Sequence, residues 1–249
     1  MFDLVSIITP TYNCSKYIER TIKSVQNQTY KNWEMLIVDD CSTDNTIDII
    51  TEIMKSDKRI RYYVLENNSG AAVARTKAMQ LANGEYIAFL DSDDIWKPNK
   101  LESQLLFMKQ NNANITCTYY EQIDEDDSKL NKIIKSPKKT SYNRLLLDCP
   151  IGNSTVMYNA KTLGKFVVPN IRKRNDDALW LKMLKKEQYI YAIPEILAEY
   201  RVRKTSISSN KISLIKYHWK LYREIEQLNI FRSLFHIIMW CVIKILRIK

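Results

Sequence analysis

Short apolar, β-branched runs alternate with helix-like segments over the first 95 residues of this 249-residue chain. The helix-like segments carry apolar residues at helical spacing, such as Ile18, Ile22 and Val25. Four runs have the composition of buried strands: residues 5–9, 35–38, 60–65 and 86–90. Strands that alternate with helices over short connections pair in parallel. The pattern therefore predicts an α/β fold with a mostly parallel sheet flanked by helices.

Hydroxyl or acidic side chains stand where three of these strands end. The clusters are Thr9 and Thr11 around Pro10 on the first strand, Asp39 and Asp40 on the second, and Asp91, Ser92 and Asp93 on the fourth. Ligands of open α/β sheets bind outside the carboxyl ends of the strands. We therefore expect a ligand site at this edge of the sheet.

The acidic residues Asp91 and Asp93 make the sharpest prediction about that ligand. Residues i and i+2 of an extended segment point to the same side, so the two carboxylates are expected to converge. Carboxylates that close repel each other unless a cation lies between them. The pattern indicates a hard divalent metal and, with it, a phosphorylated substrate. The alternative is a solvated turn of carboxylates.

The pattern changes after a helix expected near residues 98–110. Further strands are predicted at 115–123, 154–158 and 197–202, and a helix at 177–184. The polar insertion 124–139, between the first two of these strands, is expected to form a loop or a hairpin. Two more helical segments, 212–228 and 230–248, follow.

The positive charge of the chain is concentrated in its last segment. The net charge is +10, and residues 201–249 hold 11 Lys or Arg against 2 Asp or Glu, a net of 11 − 2 = +9. A basic segment first suggests nucleic acid, but this one lacks a nucleic-acid motif and ends in a very apolar stretch. An anionic membrane surface is therefore the favoured partner, and nucleic acid is excluded.

The stretch 230–249 has the pattern of an amphipathic helix. On a helical wheel Arg232, Ser233, His236, Lys244 and Arg247 fall on one side. The uninterrupted apolar run, residues 237–243, is far shorter than the ~20 residues that a membrane span needs. We expect a helix lying in the membrane interface with its basic residues toward lipid phosphates. The alternative is a helix buried in a homodimer interface.

The cysteines and the amino terminus bear on the cellular compartment. Cys14, Cys41, Cys117, Cys149 and Cys241 are widely spaced, with no CxxC motif, so a zinc site is excluded and free thiols in a reducing cytoplasm are expected. The first residues lack a signal-peptide pattern. We expect a cytoplasmic protein, peripheral at the inner face of the cell membrane.

Four motifs together resemble the family 2 glycosyltransferases. They are SIITPTYN at residues 6–13, IVDDCSTD at 37–44, GAAVAR at 70–75 and GEYIAFLDSDD at 84–94. Their order and spacing match over about the first 100 residues, with Cys41 where many members have a small residue. Residues 151–156, 176–181 and 200–203 are similar to the acceptor half of bacterial enzymes that build lipopolysaccharide or capsule saccharides. The last 45 or so residues lie outside the resemblance.

The resemblance implies a GT-A fold, which is Rossmann-like, over residues 1–205. Within it, residues 1–110 are the expected nucleotide-sugar-binding half and 111–205 the acceptor half. Residues 206–249 are expected as basic, amphipathic C-terminal helices.

The resemblance also implies roles for the strand-end residues. Asp91 and Asp93, with Ser92 between them, would hold Mn²⁺ or Mg²⁺ on the donor diphosphate. Asp40, with Asp39, would accept a hydrogen bond from the nucleobase, UDP being the favoured nucleotide. The remaining donor-binding candidates are Thr9, Pro10 and Tyr12 in the base pocket, Arg75 near the phosphate, and Arg201 and Arg203, with Ser206 to Ser208, in a loop that closes on the diphosphate.

Each of these roles has a simpler alternative. Asp39 or Asp40 could cap a loop, Arg75 could form a surface ion pair, and Arg201 and Arg203 could mark an exposed strand end.

Asp176 is the expected catalytic base, with Asp177 as its alternative. An inverting sugar transfer needs a carboxylate that takes the proton of the acceptor hydroxyl. The family usually has Glu-Asp or Gln-Asp before an apolar, Trp-containing helix, and this chain has Asn175-Asp176. The simpler alternative is that the acidic pair caps the helix amino terminus.

The sequence thus predicts an inverting, metal-dependent glycosyltransferase. It would move a sugar from a nucleoside-diphosphate sugar to a glycan or lipid-linked glycan in bacterial surface polysaccharide synthesis. One alternative is a nucleotidyltransferase, although residues 9–13 lack the Gly- and Lys-rich phosphate loop of those enzymes. The other is a non-catalytic, membrane-associated subunit of the same fold, which Asn175 leaves open.

Overall fold

The computed structural model describes residues 3–203 and 211–246. The predicted loop residues Ser206 to Ser208 and the predicted helix residue Arg247 lie outside these ranges.

Ten strands and nine α-helices alternate along the described residues. The strands are β1 (Val5–Thr11), β2 (Trp33–Asp39), β3 (Ile60–Val64), β4 (Tyr86–Phe89), β5 (Ile95–Trp96), β6 (Ile115–Ile123), β7 (Lys129–Ile134), β8 (Lys139–Thr140), β9 (Met157–Asn159) and β10 (Ile190–Arg201). The helices are α1 (Ile18–Gln26), α2 (Thr46–Ser56), α3 (Ala71–Leu81), α4 (Lys100–Asn111), α5 (Tyr142–Leu147), α6 (Ala160–Leu163), α7 (Asn175–Leu184), α8 (Lys211–Lys220) and α9 (Ile230–Leu246). A 3₁₀ turn at Asn153–Thr155 precedes β9, and a π-helical turn at Leu221–Ile225 follows α8.

All ten strands join one sheet, whose main order is β3-β2-β1-β4-β9-β6-β10-β5. The four strands predicted in the first 95 residues pair in parallel, as the alternation indicates. The second half is mixed, because β9 pairs antiparallel with both β4 and β6, while β10 runs parallel to β6. The predicted strand 154–158 is wrong at its start, where the chain forms the 3₁₀ turn.

The polar insertion forms the predicted hairpin. Strand β7 folds back antiparallel on β6. In the turn between them, one carboxylate oxygen of Asp124 accepts the amides of Asp126 and Ser128, each at 2.9 Å. Asp127 adopts a φ of 68°, which closes the turn.

Apolar clusters cover both faces of the sheet. On β1, Ile7 packs into the cluster with α1 and α4, whereas Ile8 packs into the cluster with α3 and α7. Burial on both faces explains why the consecutive residues Ile7 and Ile8 of β1 are both apolar.

The loop from α3 to β4 crosses the start of β1 at very short range. The Gly84 amide donates to the Ser6 hydroxyl at 2.8 Å, and the Ser6 hydroxyl donates to the Glu34 carboxylate at 2.6 Å. A β-carbon on Gly84 would lie 2.6 Å from the Leu4 carbonyl oxygen and 2.7 Å from the Ser6 amide. Only glycine fits there.

The last two helices pack on the α3 and α7 side of the molecule. The Tyr222 hydroxyl donates to the Leu146 carbonyl at 2.8 Å, and Ser233, His236 and Trp240 of α9 are buried. The structure buries Ser233 and His236 of the predicted polar side, leaves Arg232 and Lys244 exposed, and turns large apolar side chains outward. The exposed apolar set is Ile230, Phe231, Leu234, Phe235, Ile238, Val242, Ile245 and Leu246. The placement of this helix in a membrane interface stays a prediction. None of the helices in residues 3–203 and 211–246 combines the length and apolar character needed to cross a bilayer.

Candidate active site

The order β2-β1-β4 places three predicted clusters side by side at one edge of the sheet. Asp39 ends β2, Thr11 ends β1, and the acidic turn of residues 91–94 follows β4. The edge that the sequence predicts is therefore formed.

The acidic turn is not extended, so the strand argument for Asp91 and Asp93 is wrong. Strand β4 ends at Phe89, and the Asp94 amide donates to the Asp91 carbonyl at 3.1 Å to close a turn. The two carboxylates nevertheless lie near each other. Desolvation raises the pKa of Asp91, Arg75 opposes that shift, and the charges of Asp93 and Asp176 add to it.

Arg75 connects this turn to the beginning of α7. One guanidinium nitrogen lies 3.0 Å from the Asp91 carboxylate, and another donates to the side-chain oxygen of Asn175. Asn153 donates to the same Asp91 oxygen at 2.7 Å. Arg75 is only 4% exposed, so the alternative of a surface ion pair is wrong.

The end of β10 brings both predicted arginines to the acidic turn. Arg203 lies 3.1 Å from the Asp93 carboxylate, and Arg201 donates from Nε to the Asp93 carbonyl at 2.8 Å. Arg201 is buried, and its guanidinium lies 4.7 Å from the ring centre of Tyr17, with that of Arg203 at 5.2 Å. The alternative that Arg201 marks an exposed strand end is therefore wrong.

Asp94 is an internal anchor of the turn. It accepts the Ser154 hydroxyl at 2.5 Å and the Arg201 amide at 2.9 Å. Burial and the charges of Asp93 and Asp91 raise its pKa well above the usual range. Its contacts tie β4, the 3₁₀ turn and β10 together.

Asp39 and Asp40 both hold backbone loops at the rim. The two oxygens of Asp40 accept the amides of Ser69 and Gly70 at 2.6 and 2.8 Å. Asp39 accepts the Ser42 amide at 3.0 Å and the Tyr62 hydroxyl at 2.6 Å. A carboxylate oxygen has two lone pairs, so capping leaves each residue with acceptor capacity.

The remaining donor-binding candidates differ in access. Thr9 and Pro10 are buried within β1, whereas Tyr12 is 48% exposed beyond the end of the strand. Ser92 is buried, and its hydroxyl contacts the Cys14 sulfur at 3.2 Å beneath the turn. Of these four residues, only Tyr12 presents its side chain freely to solvent.

The two candidate bases occupy different environments at the start of α7. Asp177 is 4% exposed and lies 3.0 Å from the Arg174 guanidinium, and burial raises its pKa to about 6. Asp176 is partly exposed, and its charge acts on Asp91 and on Tyr120. Asp176 is thus near enough to the acidic turn for its charge to act on Asp91, whereas Asp177 is buried.

A cavity of about 390 Å³ lies between the amino terminus of α3 and the loop before α7. Residues 68–72 line one side, and residues 170–172 with Asn175 line the other. Asn175 lines this cavity, and Asn153 and Ser154 contact the acidic turn at Asp91 and Asp94. The resemblance covers residues 151–156 and the pair Asn175-Asp176, but it gave these three side chains no role of their own.

The acidic turn supplies two of the ligands a hard cation needs. Across residues 3–203 and 211–246, no group of three or more His, Cys, Asp or Glu could hold a metal ion. Mg²⁺ commonly takes one or two carboxylates and completes its shell with substrate phosphates and water. Asp91 and Asp93 fit a cation of that kind.

The comparisons with known proteins agree with this geometry. The sequence model of glycosyl transferase family 2 matches residues 6–162. The putative teichuronic acid biosynthesis glycosyltransferase TuaG of Bacillus subtilis is 47% identical over 241 residues, 97% of this chain and 94% of that protein. WfgD of Escherichia coli, a UDP-Glc:α-D-GlcNAc-diphosphoundecaprenol β-1,3-glucosyltransferase, is 41% identical over 244 residues, with the same coverage.

Solved structures share the fold. Staphylococcus aureus TarS 1–349 in complex with UDP-GlcNAc aligns with a TM-score of 0.74 and 21% identity, covering 90% of this chain and 65% of that one. The mannosyltransferase PcManGT from Pyrobaculum calidifontis, in complex with GDP-Man and Mn²⁺, aligns with a TM-score of 0.67. The GT-A fold and the resemblance are both confirmed, and the two alternatives to a glycosyltransferase are set aside. With the family model matched over more than half of its length and relatives that align end to end, this chain belongs to glycosyl transferase family 2.

Proposed function

We propose that the enzyme transfers a sugar from a UDP-sugar to a lipid-linked glycan during synthesis of a bacterial surface polysaccharide, with inversion at the anomeric carbon. The observation that carries the proposal is the chain of contacts from Asp91 through Arg75 to Asn175, beside Asp176. It connects a diphosphate anchor with a catalytic base across one cleft. The activities for which TuaG and WfgD are named support the same class of reaction.

Asp91 and Asp93 anchor the donor diphosphate in this proposal. A Mn²⁺ or Mg²⁺ ion held there would offset the charge that builds on the leaving UDP. Arg203 lies at the same turn and adds a guanidinium suited to phosphate oxygens. Asp40 and Asp39 offer acceptors to the base, and Tyr12 offers an exposed ring at the rim.

Asp176 acts on the acceptor. Its carboxylate takes the proton of the attacking hydroxyl as that oxygen bonds to the anomeric carbon on the face opposite UDP. Residues 1–110 then bind mainly the donor and residues 111–205 the acceptor. Strand β10 is the exception, since it returns Arg201 and Arg203 to the donor side.

The test is transfer from a panel of UDP-, GDP- and dTDP-sugars to a synthetic lipid-diphosphate sugar with Mn²⁺ or Mg²⁺, comparing Asp176→Asn with Asp177→Asn. We expect Asp176→Asn to lower kcat by about 10²- to 10⁴-fold while UDP affinity persists, because only the base is lost. Asp177→Asn keeps an oxygen that can accept from Arg174 and should retain more activity. The opposite ranking would reassign the base to Asp177.

The metal site has its own test. Asp91→Ala and Asp93→Ala should each abolish the Mn²⁺-dependent part of UDP binding measured by calorimetry. Metal-dependent binding that survives both changes would contradict the assignment.

We further propose that α9 lies on the cytoplasmic face of the membrane with its apolar side in the lipid. Exposed aromatic and aliphatic residues cover this side, and Arg232 and Lys244 lie on the same helix for contact with anionic headgroups. An apolar cavity beside it is lined by Leu147, Phe231, Phe235 and Met239.

Co-sedimentation with vesicles of anionic and of neutral lipid tests this placement. We expect binding to anionic vesicles that falls with added salt and is lost in Phe231→Ser/Phe235→Ser. Binding that is absent in the wild type, together with a dimer that the double variant dissociates, would instead make the face a homodimer interface.

A further inference from the structure

The C-terminal helices contact the loop that carries the candidate base. Trp240 of α9 is 5% exposed, and its ring centre lies 5.8 Å from the guanidinium carbon of Arg174. The centre of the Trp240 ring also lies 4.4 Å from that of His218 in α8. One residue earlier in the loop, the Lys173 ammonium lies 5.7 Å from the ring of Tyr217. Two consecutive cations of the loop thus face aromatic rings of the C-terminal helices.

Arg174 has a backbone conformation that is unusual for its residue type. Its φ of 65° and ψ of 20° are left-handed, a conformation that is unfavourable for a residue with a β-carbon. It stands directly before Asn175, where α7 begins, and so sets the direction in which that helix presents Asp176. A strained residue beside a reacting group persists only where its surroundings hold it.

Two contacts hold the Arg174 side chain. The Asp177 carboxylate lies 3.0 Å from Nη1, and the Trp240 ring covers the guanidinium. The first contact lies within α7, so it moves with the loop. The contact from Trp240 comes from a separate helix and ties the loop to the rest of the molecule.

We propose that Arg174 is a positioning residue for Asp176, and that Trp240 holds Arg174 so that the C-terminal helices complete the catalytic site. The proposal rests on the proposed role of Asp176 as the base. It gives α8 and α9 a part in turnover that is separate from any contact of α9 with lipid.

The kinetic test compares Arg174→Gln, Arg174→Lys and the wild type. For Arg174→Gln we expect kcat to fall about 10- to 100-fold and the donor KM to change less than about twofold. Arg174→Lys keeps a cation beside Asp177 and Trp240 and should recover part of the lost kcat. An Arg174→Gln enzyme with a kcat within about twofold of wild type would overturn the proposal.

The second test uses Trp240→Leu, with Trp219→Leu as the matched control. Trp219 is 36% exposed on α8, so the same substitution there leaves the Arg174 contact intact. We expect faster amide hydrogen exchange over residues 171–178 in Trp240→Leu and wild-type exchange in the control. Equal exchange in the two variants overturns the proposal without any need for turnover.

The two tests separate the inference from the function on which it rests. If Asp176→Asn keeps full transfer activity, the base assignment fails, whatever the exchange data show. If Asp176→Asn is inactive while the Arg174 and Trp240 variants behave as wild type, the function stands and the positioning role is wrong.

Discussion

At the residue scale, Gly84 is a position where an added methyl group would collide with backbone atoms. A β-carbon there would meet the Leu4 carbonyl and the Ser6 amide, which are backbone atoms and cannot rotate away. We expect Gly84→Ala to lower the free energy of unfolding by about 2 kcal/mol, because the loop or the start of β1 must shift. Urea denaturation measures this change. A midpoint equal to that of the wild type would show that the contact relaxes freely.

The acidic residues show what sequence spacing can and cannot assign. The spacing identified Asp91 and Asp93 as a pair, and both lie at the rim that was expected. It could not show that Asp94 binds Ser154 and Arg201, partners 60 and 107 positions away along the chain. For the same reason it assigned no role to Asn153 and Asn175, since their contacts to Asp91 and Arg75 exist only after folding.

At the scale of elements, the turn from α2 to β3 is stabilised by one carboxylate. Asp57 accepts hydrogen bonds from Arg59 and Gln26, and those from Arg59 do most to lower its pKa, to about 2. A lowered carboxyl pKa stabilises the fold above about pH 4, and the stabilisation is lost as the pH falls toward 2.

The substitution Asp57→Asn tests this turn. We expect the free energy of unfolding to fall by about 1 to 2 kcal/mol at pH 7, allowing for partial exposure. The difference in the free energy of unfolding between Asp57→Asn and the wild type should become smaller below pH 4. A difference that is the same at pH 7 and at the lowest pH where the fold persists would show that the stabilisation does not come from the ionised carboxylate.

Helix α9 shows a feature that hydrophobic periodicity cannot predict, namely which side of a helix is buried. The apolar and polar sides of the helix were read from the sequence, but not which side the rest of the chain would cover. Burial lowers the pKa of His236, and that of His218 to about 3, so both imidazoles are neutral at pH 7 and pack as rings against Tyr222. Neutral histidine thus belongs to the buried side, although a helical wheel counts it as polar.

At the scale of the whole molecule, we expect that the segment matched by the family model does not fold by itself. Residues 6–162 end before α7 and β10, yet β10 pairs with β6 along eight residue positions and α7 fills the core with Trp180 and Leu181. We expect a fragment of residues 3–162 to lack a cooperative thermal transition and to expose the β6 edge. Circular dichroism of the fragment beside the full chain tests this, and a sharp transition in the fragment would contradict it.

The parallel half of the sheet was predictable, because each of its strands follows its neighbouring helix closely in sequence. The mixed half was not, because β9 runs antiparallel between β4 and β6 and β10 lies beside β6, an order that the alternation of strands and helices does not specify. No local pattern in the sequence records that pairing.

The position of β10 also sets an order of events during synthesis. A ribosome releases β1 to β4 and their helices early, and these can assemble while translation continues. The edge of β6 that pairs with β10 then stays unpaired until residue 201 has emerged, since β10 is the last strand described. During that interval the edge of β6 that faces β10 lacks its partner, while β7 and β9 pair with the opposite edge, which makes the open edge of β6 the place where a chaperone would have most to protect.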